Sequence, residues 1–173
     1  VIRSRSPSKQ ASPPKSIGAS KPSFDNRSNA GPPLATSFSN ITLRNGEIQP
    51  VLLTWAENPA EFWCQPGSMA DKFNDLMSQV QGHCASSKNY LRNPIVGSVC
   101  MALFTDGAWY RGRIDEVGGN ICTVFFVDYG NKEKVKTNDL RGLEQNFAEV
   151  PTMAINCKLI DAEPSVTTWD DKS

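Results

Sequence analysis

Two short stretches hold the residues best suited to recognition chemistry. In "ALFTDGAWYR", Phe104 and Tyr110 bracket a Thr-Asp-Gly turn. In "FFVDYGN", Phe126, Tyr129 and Asn131 surround an Asp-Tyr-Gly turn. Ends of neighbouring strands converge in a small antiparallel barrel, so four rings from two adjacent turns can line one pocket. Ring faces carry negative quadrupole density and attract cations, at about 0.5–1 kcal/mol per exposed contact and about 2 kcal/mol when desolvated. A methylated ammonium or guanidinium suits such a cage, because it keeps its charge while presenting apolar methyls. An amide from Asn131 would add a hydrogen bond that separates a guanidinium from a simple ammonium. The same rings equally suit the core of a small β-domain, and spacing alone leaves both readings open. Asp128 and Arg111 read as braces that tie down backbone amides or pair with each other. Trp109 reads as barrel packing, and Glu61, Asp106 and Glu133 as an acidic rim of small individual worth.

Other chemistries find less support. His83 stands beside Cys84, but it is the only histidine and falls where a helix is expected to end, so a Cys–His nucleophile is not favoured. The five cysteines (Cys64, Cys84, Cys100, Cys122, Cys157) are widely spaced and form no CxxC, which disfavours a zinc site or disulfide framework and suits reduced, buried thiols. We expect no metal, no cofactor, no small-molecule substrate and no enzymatic activity. No run of eighteen apolar residues suggests a membrane span, and no signal peptide is evident. The chain begins with Val, as a fragment would.

The elements that position these residues are mostly strands. "EIQPVLLTWAENPAEFWCQ" predicts strands over Ile48–Trp55 and Glu61–Gln65 around an Asn-Pro turn. "SMADKFNDLMSQVQG" predicts a helix over 68–81, opened by a capping box from Ser68 and Asp71 and closed by Gly82. Its core face is Met69, Phe73, Leu76, Met77 and Val80. Four β-like runs follow, "VGSVCMALF", "AWYRGRIDEV", "ICTVFFVD" and "KEKVKT", separated by Gly/Asp/Asn turns. A last strand is expected over roughly Met153–Ile160. Within "ICTVFFVD", alternation puts Ile121, Thr123, Phe125 and Val127 on one side, the expected core face. Cys122, Val124, Phe126 and Asp128 share the other.

The charge is divided unevenly along a chain of zero formal net charge. Residues 1–40 carry six Lys/Arg against one Asp, with ten Ser and six Pro, so we expect a disordered tail. The remainder is acidic, −5 in all, which disfavours a dedicated nucleic-acid surface and suits a cationic partner. RNA binding through the Arg/Ser tail, or through Lys132, Lys134 and Lys136 alternating on one strand, is the alternative. A solvated edge strand explains those lysines more economically.

"VGSVCMALFTDGAWYRGRI", "VFFVDYGNKEKV" and "DLRGLEQNFAEVPTMAINCKL" together resemble the Tudor domains of the germline, PIWI-associated type. "VLLTWAENPAEFWCQ" and the helix after it resemble the upstream half of the extended Tudor unit, so the likeness covers roughly residues 41–161. It implies a mainly β fold: an SH3-like Tudor barrel (95–143) inserted in a staphylococcal-nuclease-like, OB-type lobe (41–94 and 144–173). It also implies a cage for symmetrically dimethylated arginine in Arg-Gly or Arg-Ala motifs, carried here by Phe104, Tyr110, Phe126, Tyr129 and Asn131. The implied partners are arginine-methylated tails, of PIWI proteins above all, in the PIWI-interacting RNA pathway. The implied setting is cytoplasmic, in perinuclear germ granules. The alternative role is an RNA-binding or methylation-independent scaffold of ribonucleoprotein granules. The family's lobe continues with strands and a helix after "INCKL", whereas this sequence stops at Ser173: either the lobe is truncated, with an exposed edge, or its remaining part lies further along a longer chain. The clustered carboxylates and phosphate-positioning arginines of a nuclease are not found in the lobe segments.

Overall fold

The computed structural model describes residues 32–160. Eight strands form two antiparallel sheets. The first sheet comprises β1 (Val51–Asn58), β2 (Glu61–Pro66) and β8 (Ile155–Cys157) in the order β1-β2-β8. The second comprises β3 (Val99–Leu103), β4 (Trp109–Gly118), β5 (Ile121–Phe126), β6 (Lys132–Lys136) and β7 (Leu140–Gly142) in the order β6-β5-β4-β3-β7. Helix α1 (Ala70–Ser86) links the two, and a single turn, α2 (Gln145–Ala148), precedes the return to the first sheet. The five-stranded sheet is therefore inserted between β2 and β8, the arrangement of an extended Tudor unit.

Several boundaries differ from expectation for identifiable reasons. Strand β1 starts at Val51 rather than Ile48, because Pro50 has no N–H to donate to a ladder. It then runs to Asn58, whose Oδ1 accepts the amide of Ala60 and closes the turn. The expected capping box is absent: Gly67–Met69 form a 3-10 turn, and no side chain caps the helix at Met69. Gly82 does not stop α1, which continues to Ser86 and buries Cys84 against the sulfur of Met101 at 3.1 Å. Packing outweighs the roughly 1 kcal/mol cost of a helical glycine. Phe73, Leu76 and Val80 form the buried face with Cys84, while Met69 and Met77 only border it. The strand expected over Met153–Ile160 contracts to Ile155–Cys157, since the amides of Met153 and Ala154 bond instead to Asp128 and the Val127 carbonyl.

The largest corrections concern the core face of β5 and the N-terminal segment. Cys122, Val124 and Phe126 are buried, whereas Ile121 is exposed and Thr123 and Phe125 are half-buried. The core face is thus the one that ends in Asp128, opposite to the expectation; only Val127, past the end of the strand, is buried as expected. The expected tail extends too far, because residues 32–40 lie against the domain. Ala35 is 9% exposed and donates to the Leu143 carbonyl, Gln145 donates to the Pro33 carbonyl, and Asn40 bridges to Thr152. Residues 1–31 and 161–173 lie outside the described residues.

Two apolar clusters result. One fills the barrel with Cys100, Ala102, Ile114, Cys122, Val124, Phe126, Val135 and Leu140. The other lies outside the barrel, where Phe73, Leu76, Val80 and Cys84 of α1 meet Met101, Leu143, Phe147 and Met153. Trp109 belongs to the second interface, its main chain bonded in both directions to the Gln81 amide. Its ring stacks with Arg141, which Tyr90 covers from another side.

Candidate functional site

Strand β4 begins just after the Thr105–Gly107 turn and β5 ends just before the Asp128–Gly130 turn, so the two turns meet at one end of the barrel. Phe104, Tyr110, Phe126, Tyr129 and Asn131 line a single pocket there, of about 280 Å³. That is just below the roughly 300–1,000 Å³ of small-molecule sites, a size suited to one side chain. The rings stand nearly perpendicular. Phe104–Tyr110 centroids are 5.9 Å apart at 90°, Phe104–Phe126 5.4 Å at 84°, and Tyr110–Tyr129 5.2 Å at 89°. Edge-to-face contacts of this kind lock each ring against its neighbour. Phe126, 1% exposed, is the floor and also the top layer of the barrel core. Phe126 thus belongs to the barrel core and to the pocket lining at once.

The pocket is uncharged on its walls and anionic at its rim. Burial, then a hydrogen bond to Asp106, and then the proximity of Tyr129 and Asp106 push the Tyr110 hydroxyl well above its usual range. Burial, followed by Asp128 and Asp106, raises Tyr129. Both phenols stay protonated at any physiological pH. Asp106 lines the pocket and holds its carboxylate in place, accepting from the Ala108 amide at 2.9 Å and the Tyr110 hydroxyl at 2.7 Å. Glu61 and Glu133 are exposed and do not line it.

Beneath the second turn lies a buried ion pair. Arg111 is 0% and Asp128 1% exposed. The Arg111 guanidinium binds Asp128 through Nε and Nη2, the first at 2.9 Å. Its remaining donors reach the carbonyls of Phe147, Val150 and Pro151, so all five N–H groups are used. Asp128 Oδ1 also accepts the Met153 amide at 3.1 Å. The Phe38 ring caps the guanidinium at 5.2 Å.

The first sheet contributes what sequence reasoning missed. Thr54 and Trp55, both on β1, line the same pocket. Thr54 Oγ1 donates to the Tyr129 carbonyl at 2.7 Å, and Gln65 Nε2 to the Asp128 carbonyl at 2.6 Å. Gly130, at φ +97°, lies against Trp63 of β2. Contacts spanning more than sixty residues leave no local signal by which they could have been found.

The remaining candidates separate from the site. His83 stacks on Phe147, with Nε2 3.5 Å from Glu144. Burial is the main effect on Cys84, opposed by Arg141 and reinforced by Glu144, and its thiol is pushed up to about 11, the wrong direction for a nucleophile. Among the described residues, no group of three or more His, Cys, Asp or Glu gathers as a metal site, and no helix is long and apolar enough to cross a membrane.

Comparison with known proteins agrees with this architecture. Residues 43–161 match the Tudor domain family model. Tudor domain-containing 6 of Danio rerio is 30% identical over 139 residues, 79% of this chain and 7% of that protein. Tudor domain-containing protein 1 of Mus musculus is 31% identical over 144 residues, 80% of this chain and 12% of that one. The chain thus spans only a small part of these relatives' lengths. Among solved structures, extended Tudor domain TD3 of mouse TDRD1, in complex with a MILI peptide containing dimethylarginine, superposes with a TM-score of 0.74 at 28% identity, covering 79% of this chain and 71% of that one. A point variant of the extended Tudor domain of Drosophila melanogaster Papi, in complex with an unmethylated Piwi N-terminal peptide, gives 0.67 at 26% identity over 70% and 64%. With a family match across most of its length and the inserted-barrel topology, this chain belongs to the Tudor domain family.

Proposed function

We propose that this domain is a reader of symmetrically dimethylated arginine in Arg-Gly or Arg-Ala segments, an adaptor with no chemistry of its own. The observation that carries the reading is the pocket itself: four perpendicular rings, one amide and one rim carboxylate around a volume suited to a single side chain. In this reading Phe104, Tyr110, Phe126 and Tyr129 hold the methylated cation by its charge and its methyls. Asn131 orients the guanidinium, Asp106 attracts it, and Arg111 with Asp128 holds the walls. The peptides bound by the TDRD1 and Papi domains support PIWI tails as partners, and with them a place in cytoplasmic germ granules and the PIWI-interacting RNA pathway. RNA binding is less well supported, because Lys132, the first of the exposed lysines of β6, pairs with Asp115 at 2.9 Å.

Titration calorimetry with a symmetrically dimethylated Arg-Gly peptide tests this. The expected affinity is of micromolar order, about 8 kcal/mol, with at least about a tenfold loss for the unmethylated peptide. Asn131→Ala is the variant of choice, since Phe126→Ala would also empty the barrel core at about 3–5 kcal/mol of stability. Equal affinity for methylated and unmethylated peptides would overturn the cage.

A further inference from the structure

Resting on that reading, we infer that Trp55 is a specificity-determining wall of the pocket mouth, one that packs on the peptide backbone beside the methylated arginine and demands a small flanking residue such as glycine. Thr54 and Trp55 are adjacent in sequence, yet both line the pocket. A regular strand would send them to opposite faces. Here the pairing of β1 with β2 slips between Leu53 and Trp55, so that Leu53 faces Cys64 and Trp55 faces Trp63 across a bulge. Bulges of this kind re-aim a side chain, and this one turns two consecutive residues toward the barrel.

The two then do different work. Thr54 is consumed in fastening β1 to the cage, through its bonds to the Tyr129 and Trp63 carbonyls. Trp55 remains 40% exposed, a large ring held at the rim of an aromatic pocket. The floor and walls beneath it are already furnished by barrel residues, with Phe126 fully covered. A long side chain that fills such a pocket leaves its own Cα and its neighbours at the mouth. The exposed residues of the lining are Trp55 on β1 and Asp106 in the turn between β3 and β4. A flat indole surface accepts a peptide plane closely only where no Cβ intervenes, which selects glycine beside the arginine. An exposed Trp at a partly desolvated rim is also the residue type that most often dominates a peptide interface.

The experiment compares three ligands on the unchanged protein, Trp55→Ala and Trp55→Phe. These are a dimethylated Gly-Arg-Gly peptide, the same peptide with both glycines replaced by valine, and free symmetric dimethylarginine followed by NMR. Trp55→Ala is expected to weaken the glycine peptide about five- to tenfold and to leave the free amino acid within about twofold. The unchanged protein should disfavour the valine peptide by a similar factor, and Trp55→Ala should lose most of that preference. Trp55→Phe should fall between, with an unaltered melting temperature for both variants. The inference is overturned if peptide affinity is unchanged in Trp55→Ala. It is equally overturned if peptide and free amino acid weaken together, which would make Trp55 one more cage wall. Adding the unmethylated Gly-Arg-Gly peptide as a fourth ligand separates the two readings: failure of the unchanged protein to distinguish it from the methylated one would remove the methylarginine reading itself, and this inference with it.

Discussion

Gly130→Ala is the sharpest test of how the aromatic pocket is held. At φ +97° any residue with a Cβ is strained, at a cost of about 1–3 kcal/mol. The new methyl would also lie 2.1 Å from Trp63 Cγ and 2.5 Å from its Cβ. These atoms are the root of the side chain and cannot swing away, so either the turn or β2 must move. Overpacking of this kind costs a further 1–3 kcal/mol or so. The expected total is about 2–6 kcal/mol, a fall in melting temperature of roughly 5–25 °C for a domain of this size. Calorimetric unfolding of Gly130→Ala, Trp63→Gly and the double variant separates the two costs, glycine being needed at position 63 because alanine would keep the Cβ that lies 2.5 Å away. With Trp63 removed, only the backbone strain should remain, so the coupling energy should be about 1–3 kcal/mol. Peptide affinity should fall in Gly130→Ala, since Tyr129 and Asn131 flank the displaced residue. If Gly130→Ala costs the same with and without Trp63, the first sheet does not set the position of the turn, and the reasoning fails.

Arg111→Ala should cost about 3–5 kcal/mol in chemical denaturation, because it strands a buried carboxylate and three carbonyls. Arg111→Lys should recover little of it, lacking the five-donor fork; a loss under about 1 kcal/mol for Arg111→Ala would refute the pairing. The buried thiols give a pH dependence. Burial, reinforced by Cys122, pushes Cys100 up to about 12, and Cys84 rises to about 11, from an ordinary value of about 9. The folded state thus holds those protons more tightly than the unfolded chain. Stability should be complete below about pH 9 and decline as pH rises toward 12; denaturation midpoints that stay flat across pH 8–11 would contradict this. Alkylation of the native protein at pH 8 should modify the half-exposed Cys157 before Cys84 or Cys100, as read by peptide mass.

Much of the barrel was legible because its turns are marked by residues that tolerate the required backbone: Gly107, Gly119 and Gly130 all have positive φ. The rings beside those turns were legible for the same reason. The face of β5 was not. Alternation placed Asp128 on the side opposite the expected core, whereas with Arg111 paired to it the whole face of Cys122, Val124 and Phe126 turns inward. One buried ion pair thus inverted the apparent pattern of a strand. Helix α1 outran Gly82 because burial of Cys84 lies beyond any local stop signal. The contribution of Thr54 and Trp55 depends on a bulge and on partners far along the chain, neither of which composition encodes.

The guanidinium of Arg111 draws together β4, the turn after β5, the stretch from Phe147 to Pro151 and the ring of Phe38. A barrel excised at its own strand boundaries would keep the four rings of the pocket but carry a cation with most of its acceptors cut away. The module that evolution or an engineer can copy, graft or shuffle is therefore not the barrel. It is the longer segment from the Ala35 strap to β8, within which every donor of that one side chain finds its place.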